Sequence, residues 1–222
     1  MSESQTETGM RIVDQVFEAM QASILNGEYR SGQRLRIRQL ASSLGTSVMP
    51  VREAIARLEE VGLVETSPHR GAAVKVFTAE ELLQIYSVRL MLEVEATVQG
   101  VTTLDADSRA RLEDEFAAME AALAAGDAAD YLDHDEELLA IIYGAAGNPV
   151  LVETIRVLWL RCRAYKFVGA RRVLASDDVS PLLKHQRQLM RAIDDGDPEA
   201  AGRVTEESLN EAILRIRSAL EE

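Results

Sequence analysis

The chain has 222 residues and a formal net charge of −13, long enough for one large domain or two small ones with a sizeable core. No apolar run approaches the roughly 18 residues of a membrane span, and the opening MSESQTETG is short and polar, so no membrane segment or secretory signal is expected and the cytoplasm is the expected compartment. Cys162 is the only cysteine, which excludes an internal disulfide and suits a reducing environment.

The acidity is uneven. Residues 1–76 hold nine Lys/Arg and nine Asp/Glu, whereas residues 77–222 hold fifteen and twenty-eight, so the second part carries the whole −13. Phosphate attraction is local and is screened beyond about 10 Å, so a neutral head with its arginines on one face remains compatible with DNA. The chain divides near Val76, giving expected domains 10–77 and 78–222.

From Met10, the positions Val13, Val16, Phe17, Met20 and Ile24 recur with the spacing of one helix face, and Asn26-Gly27 ends the run. A short helix over residues 37–44, a glycine-bearing turn at Gly45-Thr46 and a longer helix opening at Ser47 make a helix-turn-helix. With Ser47 as N-cap, Pro50 is the third helical residue, where a missing N–H is tolerated. Val51, Ala54, Ile55 and Leu58 then face inward, leaving Ser47, Val48, Met49 and Arg52 around the exposed amino end. That end carries partial positive charge and attracts phosphate, as the amino end of a recognition helix does in the major groove. Extended runs over 63–66 and 72–77, joined by Ser67-Pro68-His69-Arg70-Gly71, predict a hairpin with a basic turn.

The segment LASSLGTSVMPVREAIARLEEVGLVETSPHRGAAV resembles the winged-helix head of the GntR family of bacterial transcription regulators, with one spacing kept throughout. The resemblance implies binding to double-stranded operator DNA through Arg38, the Ser47–Arg52 helix end including Pro50, and Arg70-Gly71 at the wing tip. For Arg38 an ordinary surface charge is the alternative. Two positions depart from the family pattern: its usual arginine after the serine is Val48, and its usual threonine is Met49. Loss of a bidentate arginine–guanine contact removes about 1–3 kcal/mol of discrimination, which either alters operator preference or weakens specificity.

Residues 78–222 read as six helices. Thr78-x-x-Glu81 is a capping box opening the first, to about residue 101; the second spans 106–125, and Gly126 closes it. Asp127 caps the third, ending at Gly147; Asn148-Pro149, Ser180-Pro181 and Asp197-Pro198 open the remaining three. An irregular segment, 171–179, follows the fourth. The expected fold is thus mainly α, a winged helix-turn-helix with a small β-hairpin followed by an all-α bundle.

Polar residues occur within apolar stripes of this bundle. Asp135 lies among Leu132, Leu139 and Ile142; His185 among Leu182, Leu189 and Ala192; Arg89 follows Leu82, Ile85 and Tyr86, with Glu93 one turn on. Buried charge needs a partner, so either Arg89 and Glu93 pair with each other or Arg89 serves a ligand. His185 has the alternative of being an ordinary core histidine.

IYSVRLMLEVEA, HDEELLAIIYGAAGNP and KHQRQLMRAIDDGDPEAA resemble the ligand-sensing C-terminal domain, called FCD, of the FadR-type GntR subfamily, and six helices point to its VanR-like division. Relatives commonly bind small organic acids there, often through a divalent metal of the zinc or nickel type held by one Asp and three His. The matching positions here are Asp135, Leu139, His185 and Ser208, so only Asp135 and His185 of that ligand set remain. The resemblance therefore implies a homodimeric, DNA-binding repressor with a carboxylate-like effector met by Tyr86, Arg89, Asp135, Leu139, His185 and Ser208. Catalysis is not expected; a metal-dependent enzyme and a dimerisation scaffold with a degenerate DNA-binding head are the alternatives.

Overall fold

The computed structural model describes residues 3–68, 70–176 and 178–221. The chain forms two compact units, Met1–Val76 and Phe77–Glu222.

The first unit contains α1 (Glu3–Leu25), β1 (Arg34–Leu35), α2 (Ile37–Ser43), α3 (Val48–Glu60), β2 (Val64–Ser67) and β3 (Gly71–Val74). Val16, Met20 and Ile24 are buried at four-residue steps along α1, which packs against α3. The α3 stripe Val51, Ala54, Ile55 and Leu58 is buried, as its periodicity requires. Full burial of each larger member contributes about 1.5–3 kcal/mol. Arg57 ties the same two helices from outside, 2.6 Å from Asp14 and 4.4 Å above the Phe17 ring.

The sheet has three antiparallel strands in the order β1-β3-β2, where the sequence pattern predicts two. β1 pairs Arg34 with Ala73 and Leu35 with Ala72 and covers the far edge of β3. Two residues are too few to show alternation, so this strand leaves no sequence signal. The second run is also shorter than expected, beginning at Gly71 and ending at Val74. Likewise α1 starts before Met10, since a helix turn lacking an apolar stripe shows no period. His69, in the basic turn, lies outside the described residues.

The second unit contains α4 (Ala79–Thr103), α5 (Ala106–Ala125), α6 (Ala128–Ala145), α7 (Pro149–Leu174), α8 (Ser180–Asp194) and α9 (Pro198–Glu221). The Thr78 capping box is formed in both directions, and Asp105, Asp127 and Asn148 each cap through a side-chain oxygen. Two expectations change. α7 runs to Leu174, shortening the irregular segment; Arg171 and Arg172 suit the negative end of a helix dipole and let the helix continue. α8 begins at Ser180 itself, with Val179 rather than Ser180 at the N-cap and no side-chain cap, while the Asp178 carboxylate accepts the Ser180 N–H at 2.9 Å.

α4 is the central helix, packed against α6, α7 and α9. Its crossing with α6 depends on Gly100, where an added Cβ would lie 1.9 Å from the Ile142 carbonyl oxygen. Backbone cannot give way as a flexible side chain can. Gly100→Ala is therefore expected to destabilise the helical unit by about 2 kcal/mol or more, read as a lower denaturation midpoint in urea. An unchanged midpoint would show that α4 and α6 are not held at this distance.

Candidate functional site

Two places in the molecule gather the residues singled out above. In the first unit, Ser47, Met49, Arg52 and Arg38 are exposed, and Val48 and Pro50 are partly so. Ser47 occupies the N-cap position with extended backbone, but its hydroxyl accepts no capping hydrogen bond. An N-cap oxygen accepts from the second or third helical amide, and Pro50 removes the third, leaving only the Met49 N–H as a donor in range. Ser47 is thus the N-cap, as expected, by its backbone conformation and without a side-chain hydrogen bond. The hydroxyl remains on the surface beside the first amides of α3, at the positive end of the helix. Met49 is 60% exposed, an apolar side chain at this end. Arg70 is exposed in the β2–β3 turn, its N–H donating to the Ser67 carbonyl at 3.1 Å, and Gly71 follows with φ +76°, a conformation costly for other residues.

In the second unit a cavity of about 810 Å³ is lined by α4, α6, α7, α8 and α9. Tyr86, Arg89, Asp135, Leu139, His185 and Ser208 all line it. Residues more than a hundred positions apart are brought together because α4 and α9 are direct neighbours, joined by the Thr97 and Thr205 hydroxyls at 2.9 Å.

One wall is organised by Glu93, which is 1% exposed. Arg89 donates to it through Nε at 2.6 Å and Nη2 at 3.2 Å, Trp159 Nε1 at 2.9 Å and Tyr143 Oη at 3.2 Å. The remaining Arg89 nitrogen, Nη1, lies 3.4 Å from the buried Cys162 Sγ, and the guanidinium stacks 4.6 Å over the Tyr86 ring. Burial opposes the charge on Arg89, but Glu93 outweighs it and the guanidinium stays protonated well above its ordinary range. The forked edge expected to grip an effector is therefore engaged by Glu93. Arg89 lines the cavity while paired with Glu93, the first of the two arrangements its position in the sequence allowed.

A second polar knot holds Asp135. Its Oδ2 accepts from Lys166 Nζ at 2.9 Å and its Oδ1 from Gln186 Nε2 at 2.6 Å; Lys166 also lies 3.6 Å from Glu136 Oε1. Burial acts against the Lys166 charge, while Asp135 and Glu136 hold it protonated above its usual value. His185 lies 3.5 Å through Nε2 from Glu211 Oε1 without a hydrogen bond, and partial burial lowers its pKa, favouring the neutral imidazole. Burial raises the Tyr86, Tyr131 and Tyr143 phenols, so they are neutral donors in the cavity wall.

The donor set does not fit a divalent metal. Both Asp135 oxygens are taken, an ammonium stands where a cation would, and Leu139 offers no ligand atom. Among the described residues no cluster of three or more His, Cys, Asp or Glu side chains forms a metal site.

Sequence reasoning missed Lys166, Gln186, Tyr143 and Trp159. A signal existed for Lys166: Ile155, Trp159, Cys162 and Lys166 follow one helical face, and the first three are buried.

Residues 12–74 match the family model for bacterial regulatory proteins of the gntR family, and residues 84–211 match the FCD domain. The chain belongs to the GntR family. This GntR regulator is 24% identical over 212 residues to the uncharacterized HTH-type transcriptional regulator YdhC of Bacillus subtilis strain 168, covering 94% of this chain and 92% of YdhC. It is 30% identical over 135 residues to the HTH-type transcriptional regulator McbR of Escherichia coli K12, covering 61% of each. It is 26% identical over 197 residues to the probable D-xylose utilization operon transcriptional repressor of Paenarthrobacter nicotinovorans, covering 87% of this chain and 84% of that one. The solved structure of E. coli McbR/YncC has the same fold, with a TM-score of 0.79 at 24% identity over 94% of this chain and 98% of that one. The protein is a DNA-binding transcription regulator with a winged helix-turn-helix and an FCD effector domain.

The Glu93 knot in this GntR regulator gives a stability test. Glu93→Ala strands a buried guanidinium and is expected to lower stability by about 3–5 kcal/mol. Joint replacement of Arg89 by Met and Glu93 by Leu should recover most of that loss. Urea denaturation followed by the fluorescence of Trp159, the only tryptophan, reads both; equal losses in the single and double variants would contradict a coupled pair.

Proposed function

We propose that this regulator is a cytoplasmic homodimeric repressor that releases its operator when a small organic acid fills the cavity of the helical unit. The observation that carries the reading is the convergence of six inward positions from four helices on one cavity of about 810 Å³, large enough for a metabolite. The occupant fits a carboxylate-bearing molecule, because Arg89, Lys166, Arg172 and Arg215 line the cavity against Glu93 and Asp135 in a part of the chain that is otherwise acidic. The six effector-facing residues are Tyr86, Arg89, Asp135, Leu139, His185 and Ser208, with Arg89 acting as a fixed wall. Repression accords with the name of the Paenarthrobacter relative.

Pairing of two chains through the helical units is supported by Val88 and Met91, exposed one turn apart on α4, which give that unit an apolar patch. A two-fold dimer sets two α3 ends in successive major grooves about 34 Å apart. Each end reads DNA through Ser47, Val48, Met49, Pro50 and Arg52, with Arg38 and the Arg70-Gly71 turn on neighbouring backbone. Val48 and Met49 present methyl groups where relatives carry polar readers, which favours an apolar contact such as a thymine methyl over a bidentate guanine contact. Effector coupling of about 1–3 kcal/mol changes operator affinity roughly 5- to 150-fold.

Catalysis has no support in the site. Cys162 is fully buried with its thiol pushed up by burial, and Asp135 is occupied by Lys166 and Gln186. No helix among the described residues is long and apolar enough to cross a membrane.

The experiment is fluorescence anisotropy of the full chain on labelled DNA from its own upstream region, across a salt series. Wild type is expected to bind with a steep salt dependence, and Arg52→Ala to weaken binding and reduce the log–log salt slope by about 1. Binding that ignores both salt and Arg52 would contradict the reading of α3.

A further inference from the structure

The lining of the cavity places a lysine ammonium directly against the buried Asp135 carboxylate. Where a divalent ion would need the Asp135 carboxylate, α7 supplies the Lys166 ammonium at 2.9 Å from Oδ2, with Glu136 Oε1 also within 3.6 Å of it. Gln186 closes off the remaining Asp135 oxygen at 2.6 Å. Asp135 is 3% exposed and the Lys166 side chain 17%, so this pair lies at the inner wall and not on a solvated rim.

Taken together, these contacts do the electrostatic work of a metal with protein atoms alone. A buried carboxylate needs a counter-charge, and the ammonium is one. A metal entering beside it would meet a like charge and a carboxylate already satisfied, with His185 as the one remaining nitrogen ligand from the pattern. An ammonium has three N–H bonds and its hydrogen bond to Asp135 uses one, so Lys166 retains donors for a ligand at the cavity wall. The Arg89 fork, by contrast, is turned onto Glu93.

We propose that Lys166 replaces the divalent metal in this regulator: its ammonium, anchored by Asp135 and Glu136, is the resident cation that meets an anionic effector, and sensing is independent of metal. The inference rests on the reading of the cavity as the effector site. It adds the residue that receives the anion and removes the metal from the mechanism. Gln186 is a positioning residue, since it fixes the Asp135 oxygen that Lys166 does not touch.

The test begins with no effector present. Full-length protein is stripped with chelator, exchanged into chelator-free buffer and titrated calorimetrically with zinc chloride or nickel chloride alone. Wild type and Asp135→Asn are expected to give the same trace, with no Asp135-dependent site. One equivalent of metal bound per chain and lost in Asp135→Asn would overturn the proposal. The second arm is a thermal-shift panel of mono-, di- and hydroxycarboxylates, with and without chelator. An acid that stabilises wild type is expected to do so equally in chelator, to bind Lys166→Met about tenfold or more weakly, and to be retained by Lys166→Arg. Binding that needs added metal, or that Lys166→Met leaves unchanged, would overturn it. Should Lys166→Met fail to fold, the wild-type titration and Lys166→Arg still decide. If no acid stabilises any variant, the effector reading fails, and the metal titration alone then decides whether Lys166 has displaced the ion.

Discussion

A carboxylate in the middle of a helical bundle has to be met by donors from every side, and Glu93 is that group here. With 1% exposure it cannot be hydrated, so α4 supplies Arg89, α6 supplies Tyr143 and α7 supplies Trp159. The three helices are thereby fixed relative to one another at one level, where Arg89, Glu93 and Tyr143 form part of the cavity lining. Asp135 repeats the device with Lys166 from α7 and Gln186 from α8. A cavity among packed helices would ordinarily tend to collapse onto its apolar walls. Two satisfied polar knots give its lining a fixed shape instead, because their hydrogen bonds have directional requirements that apolar contacts lack.

The same reasoning separates the residues that hold the site from those left to serve a ligand. Arg89 has the chemistry of an anion clamp, yet its geometry belongs to Glu93. Lys166 has retained donors, a short reach to the cavity and a neutralised neighbour. In the first unit the division is equally sharp. Val51, Ala54, Ile55 and Leu58 belong to the core, and Pro50 removes one of the two amides that could engage Ser47. Stability is carried by one face of the helix, and its amino end is the surface proposed to meet DNA.

Much of the fold is legible in the sequence because helix signals are local. Four of the six helices of the second unit announce themselves through Thr78, Asp127, Asn148-Pro149 and Asp197-Pro198, residues whose side chains or rings act within one turn. Apolar periodicity alone also turns Arg89, Glu93, Asp135 and His185 inward. What the sequence does not reveal is partnership. Whether Arg89 faces Glu93 or a ligand depends on Tyr143 and Trp159, which lie 50 and 66 residues beyond Glu93 in the chain. Lys166 stays hidden when the family's metal ligands are sought as histidines, although its own stripe with Trp159 and Cys162 is visible. β1 escapes for a different reason, being only two residues long.

The central claim is that occupancy of the cavity and the grip of α3 on DNA are one equilibrium. Thermodynamic reciprocity gives its most direct test: effector affinity measured calorimetrically with and without saturating operator DNA, beside operator affinity measured with and without saturating effector. Matching ratios, each within roughly 5- to 150-fold, are the outcome the account expects. An effector that binds equally well to the free regulator and to its DNA complex would contradict it.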